Sequence, residues 1–150
     1  MSVRVQESDF DLGRELAEMR AGRPEIGAIA SFVGLVRDMN DGSGVAAMTL
    51  EHYPGMTEKA LARIVAEART RWALLDIRVI HRIGRLEPGD QIVFVATASA
   101  HRGDAFAACE FVMDWLKTSA PFWKREETPA GSRWVDARES DDEAAARWKT

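Results

Sequence analysis

A chain of 150 residues, 46% hydrophobic and 29% charged, can bury a core without disulfides or metals and is too apolar to be disordered. Its net charge of −4 argues against a general nucleic-acid binder and makes any anion site a local gathering of Lys and Arg. The single cysteine, Cys109, excludes an internal disulfide. No apolar run approaches the ~20 residues of a membrane span and Met1–Glu7 lacks a signal-peptide core, so the expected location is cytoplasmic.

Residues 3–6 read as a short strand and Asp11–Met19 as a short helix ahead of the Ala-Gly-Arg-Pro turn. Ile26–Val36 reads as a long strand in which Gly27 and Gly34 mark bulges or close backbone approach, since glycine otherwise weakens a strand. Arg37 closes it, and residues 38–44 form a flexible, turn-rich loop. Val45–His52 is the next strand. Thr57 reads as the N-cap of a helix over Glu58–Trp72, with Leu61, Ile64, Val65, Ala68 and Trp72 on its core face. Ile77–His81 is a strand, and the Glu87–Asp90 turn leads into Gln91–Ser99. That nearly continuous apolar run predicts a central strand covered on both faces.

The next helix places Ala105, Ala108, Cys109, Val112, Met113 and Leu116 on one stripe, ends near Lys117 and is stopped by Pro121. Phe122–Glu126 and Ser132–Ala137 read as a hairpin through Thr-Pro-Ala-Gly. From Glu139 the chain is acidic, and Ala144–Trp148 admits either one helical turn or a mobile end. The order predicts an α+β fold with a largely antiparallel or mixed sheet, in one compact domain over residues 1–150.

Cations flank the Ala105–Leu116 stripe at both ends. His101 and Arg102 stand where a helix N-terminus offers unpaired N–H groups, an arrangement suited to phosphate or carboxylate. Lys117 and Lys124 stand beyond the other end. Two ammonium groups converging on one pocket disfavour each other's charge, which suits a lysine to acid–base or nucleophilic work. The competing reading is a solvated lysine opposing the negative end of the helix dipole. Arg37 could grip an anion bidentately or simply be an exposed strand-end charge. His52 and His81 lack Cys or carboxylate partners at metal-ligand spacing, so no metal site is expected. Cys109 reads as a small core residue, and Trp72, Trp115, Trp123 and Trp134 as mostly core or interface. Composition and spacing stop at a cationic small-molecule pocket around residues 101–124.

The segments that go further are Phe32-Val-Gly-Leu-Val-Arg37, Leu50-Glu-His-Tyr-Pro-Gly-Met56, His81-Arg-Ile-Gly84 with Gly89-Asp90, and Ser99-Ala-His-Arg102. Leu116-Lys-Thr118, Ala120-Pro-Phe-Trp-Lys-Arg-Glu126 and Trp134-Val-Asp-Ala-Arg-Glu-Ser140 complete the set. In this order they resemble the large, catalytic subunit family of molybdopterin synthase. The resemblance implies an α/β hammerhead-type subdomain with an additional mixed or antiparallel sheet. It also implies a homodimer within a heterotetramer, each protomer binding a small ubiquitin-like sulfur-carrier subunit (MoaD-like). The carrier's Gly-Gly tail, as a thiocarboxylate, would give two sulfurs to cyclic pyranopterin monophosphate, forming the dithiolene of molybdopterin. No cofactor is implied. Lys117 would be the acid–base group, and Lys124 would hold substrate phosphate or assist cyclic-phosphate opening. Arg37, His101, Arg102 and Arg138 would bind the anion and pterin, partly across the dimer interface. The alternative is a non-catalytic module that holds a carrier tail or phosphorylated metabolite without turnover.

Overall fold

The computed structural model describes residues 2–40, 43–44, 46–129, 131–135 and 139–149. The chain begins with β1 (Ser2–Gln6), α1 (Leu12–Arg20), β2 (Ala28–Leu35), the short β3 (Met39–Asn40) and β4 (Ser43–Gly44), and β5 (Ala47–His52). It continues through α2 (Met56–Arg71), β6 (Asp76–Arg82), β7 (Gly84–Leu86), β8 (Gln91–Ser99) and α3 (Arg102–Ser119). The strands β9 (Phe122–Thr128) and β10 (Gly131–Val135) and the helix α4 (Glu139–Ala146) complete it. One sheet has the order β1-β6-β8-β2, a second β10-β9-β5-β7, and β3 pairs with β4 alone. Only the β1–β6 pairing is parallel among these ladders, so the first sheet is mixed and the second antiparallel. This is the expected α+β architecture.

The central position expected for β8 is borne out, and the period of two explains how. Val93 and Val95 enter a core built with Leu61, Val65, Val112 and Leu116 from α2 and α3. Phe94, Ala96 and Ala98 point the other way, against Phe10 and Met19. Helix α1 is held to its face by charge as well as by apolar contact. Asp11 Oδ1 caps it by accepting the Arg14 N–H at 3.0 Å. The buried Glu15 carboxylate accepts from Arg4 and, at 3.0 Å, from Arg78.

Both glycines of the β2 region are close approaches, as expected. A Cβ on Gly27 would lie 2.1 Å from the Ala100 carbonyl oxygen, and the Gly27 N–H donates to the Ser99 carbonyl at 3.0 Å. Gly34 adjoins a register shift in the β2–β8 ladder, and a Cβ there would meet Val93 Cγ1 at 2.8 Å.

Two expectations are corrected, and one short strand was not anticipated. Thr57 is not the N-cap of α2. The cap is Gly55, at φ +83°, whose N–H donates to Glu58 Oε2 at 2.8 Å, while Thr57 Oγ1 donates to the Tyr53 carbonyl. The 38–44 loop carries the β3–β4 ladder. Strand β7, three residues long and started by Gly84 at φ +84°, is too short to show periodicity. At the C-terminus, Trp148 packs edge-on to Trp72 and Phe111, each at 5.6 Å between centroids, and its Nε1–H donates to Asp114 Oδ2 at 2.7 Å.

Candidate active site

The position of each expected site residue follows from the course of β8 and α3. Thr97 Oγ1 donates to the Ala105 carbonyl at 2.6 Å, and Cys109 Sγ lies 3.9 Å from the Val95 carbonyl, so α3 runs back along β8 in the opposite direction. The 18 residues of α3 therefore carry Lys117 about 25 Å from His101 at ~1.5 Å per residue. Strand β8 covers the same span, with Ser99 paired to Ala28 at one end and Gln91 to Leu35 at the other.

The geometry divides the expected pocket. His101 and Arg102, both exposed, stand at the end of β8 where α3 starts. Lys117, exposed in the last turn of α3, lies at the opposite end, where Arg37 also leaves the sheet beyond Leu35. Within one chain, the two cationic groups do not form one pocket around residues 101–124. Arg138 lies outside the described residues.

Lys124 joins the Lys117 end through β9. It is half-buried and faces Leu50 across the β5–β9 ladder, in which His52 faces Phe122. At this end His81, in β6 opposite Val93, is only 5% exposed. Its ring stacks on Phe122 with centroids 3.8 Å apart and planes 17° from parallel. Nδ1 is 2.8 Å from the Arg82 carbonyl, which can only accept, so the proton sits on Nδ1 and the lone pair on Nε2. Burial lowers the His81 pKa to about 3, with Lys117, Lys124 and His52 adding repulsion. The imidazole is therefore neutral at physiological pH and lies within electrostatic reach of all three groups. His52 Nδ1 is buried, makes no hydrogen bond and lies 3.9 Å from Glu58 Oε1.

Other expectations resolve by strand alternation and burial. Trp123 and Trp134 are 37% and 61% exposed, contrary to a core role, and Trp123 points away from the face that carries Phe122 and Lys124. Trp134 lies beside Arg125, whose guanidinium carbon is 6.0 Å from its ring. Cys109 is buried, as expected, and burial pushes its thiol up to about 11, so it is not a nucleophile at neutral pH. A cavity of about 370 Å³ between α2, α3 and Trp148, walled by Ile64, Phe111 and Trp115, holds none of the expected site residues.

Sequence reasoning missed His81 and Phe122, having weighed the histidine only as a metal ligand. The available signal was a polar residue at a core-facing position, since Ile77, Val79 and His81 alternate on one face of β6.

Residues 5–119, which carry the β8–α3 frame and Lys117, match the family model described as MoaE protein. The chain is 69% identical over 147 residues to the molybdopterin synthase catalytic subunit of Ralstonia nicotianae, covering 98% of this chain and 84% of the relative. It superposes on the molybdopterin biosynthesis MoaE protein from Burkholderia ambifaria with a TM-score of 0.85 at 63% identity, covering 99% and 98% of the two chains. Molybdopterin synthase from Staphylococcus aureus gives 0.81 at 31% identity, covering 88% and 95%. A matched frame, a matched fold and this level of identity along nearly the whole length place the chain in the MoaE family, that of the molybdopterin synthase catalytic subunits.

Proposed function

We propose that this chain is a sulfurtransferase, the catalytic subunit of a molybdopterin synthase acting in the cytoplasm. Its substrates are cyclic pyranopterin monophosphate and the C-terminal thiocarboxylate of a small ubiquitin-like carrier subunit. Two sulfurs pass from carrier tails to the pterin, giving the dithiolene of molybdopterin. The observation that carries this reading is the likeness along nearly the whole chain to molybdopterin synthase catalytic subunits, and the placement of Lys117 and Lys124 within electrostatic reach of the buried His81 supports it.

Lys117 exchanges protons beside the thiocarboxylate, and Lys124 holds the substrate phosphate or assists opening of the cyclic phosphate. Arg37 supplies a bidentate anion contact from the same end of the sheet. Preorganised cations of this kind stabilise charge that develops during transfer, where they contribute most to rate. The carrier tail enters extended and is held largely through its main chain. His101 and Arg102 lie too far along α3 to serve the lysines of their own chain. They serve those of a second copy, so the working unit is a homodimer with one carrier on each protomer. Arg138 completes the anion-binding set.

The test is single-turnover conversion of cyclic pyranopterin monophosphate with a thiocarboxylated carrier, comparing the native chain with Lys117→Ala and measuring carrier binding in parallel. The variant should bind the carrier normally and lose at least about a hundredfold in rate, the ordinary scale of a lost acid–base group. No product from the native chain with a competent carrier would leave only a non-catalytic binding module.

A further inference from the structure

One buried polar group at the lysine end has no part in the chemistry above. An imidazole placed in a core must have its polar atoms used, and a leucine would fill the same space at lower cost. His81 satisfies Nδ1 with the Arg82 carbonyl at 2.8 Å and lays its ring flat on Phe122. Phe122 is the first residue of β9, and its N–H donates to the Ala120 carbonyl at 2.9 Å, across the junction where α3 ends. It is thus the fixed point between Lys117, in the last turn of α3, and Lys124, two residues into β9 on the same face as Phe122. The β5–β9 ladder ends at His52 and Phe122, so beyond that pair the direction in which the strand begins rests on the Phe122–Ala120 backbone bond and on side-chain packing. A ring 17° from parallel at 3.8 Å restrains rotation as well as distance. Lysine or arginine at this position would repel Lys117, Lys124 and His52, whereas a neutral ring does not.

We propose that His81 is the positioning residue of the lysine pair: by clamping Phe122 it fixes the α3–β9 junction and presents Lys117 and Lys124 to the same substrate. This rests on the catalytic reading of the two lysines. The orientation it secures is of the kind whose loss by ~1 Å costs up to about a hundredfold in rate.

The experiment uses the assembled synthase with thiocarboxylated carrier and compares His81→Leu, His81→Phe and Val79→Ala. Val79, fully buried on the same face of β6, reports what loss of core packing does by itself. His81→Leu should lower kcat at least about tenfold with KM for the pterin changed less than about twofold, because orientation is lost and binding is not. His81→Phe, which can still stack, should restore kcat to within about threefold of the native value. Val79→Ala, compared with His81→Leu at equal fraction folded, should keep kcat. If His81→Leu does not fold, Phe122→Leu removes the ring from the other side and should show the same split.

Native kcat in the folded Leu variant, an equal loss in Val79→Ala, or no rescue by Phe would each overturn the role. Inactive lysine variants beside a fully active His81→Leu overturn this inference alone. Fully active lysine variants overturn the catalytic reading and this inference together.

Discussion

Three buried ionisable groups illustrate three ways of satisfying a polar side chain in a core. Glu15 is charged and matched by Arg4 and Arg78, Cys109 is a neutral thiol, and His81 is a neutral ring. The histidine makes stability depend on mildly acidic pH. In the unfolded chain its imidazole takes up a proton near pH 6.5, while the folded chain refuses it until about 3. Between these values the unfolded state binds more protons, so the contribution of His81 is present above 6.5 and is lost as pH falls through the window. The slope it adds is at most about 1.4 kcal/mol per pH unit. Urea titrations from pH 7 to 4 should show a steeper fall for the native chain than for His81→Phe, because the carboxylates titrate alike in both. Parallel curves would place the titration elsewhere. Sequence could name His81 but not value it, since its burial depends on Phe122, 41 positions later in the chain.

At the scale of elements, periodicity made the long pieces legible. The α3 stripe, the core face of α2 and the run of β8 are buried where their spacing put them, because each residue's environment there is set by a repeating geometry. Short pieces were not legible, as β7 and the β3–β4 ladder have too few residues to repeat, and Thr57 lost the cap position to Gly55 by one turn of local hydrogen bonding. Glycine in a strand was informative in its own right. Gly27→Ala would force a methyl onto the Ala100 carbonyl and should destabilise the chain by about 1–3 kcal/mol, as overpacking does. Gly103→Ala, at a helix position with nothing within 4 Å, should stabilise it by up to about 1 kcal/mol through helix propensity and lost unfolded-state freedom. Denaturant midpoints for the two variants check both signs, and equal midpoints would remove close approach as the reason for Gly27.

At the scale of the molecule, sequence could name candidate cations one by one but could not say which of them the fold groups together. A helix of 18 residues puts its two ends about 25 Å apart however strongly both are charged, so the lysines and the His101–Arg102 pair are separate features of one chain. Among the described residues no helix is long and apolar enough to cross a membrane. The proposed two-fold pairing would reconcile the separation with a single catalytic centre, because a symmetric interface presents each chain's surface to the other reciprocally. In the proposed assembly the lysine end of one copy works with the cationic end of another. Single-turnover synthesis by a mixture of Lys117→Ala and Arg102→Ala chains, allowed to exchange subunits, tests it most directly. Each variant alone should be nearly inactive, and random exchange should restore about a quarter of the native sites, since half the dimers are hybrids with one intact centre. A mixture no more active than its components, or full activity in Arg102→Ala by itself, would contradict the shared centre.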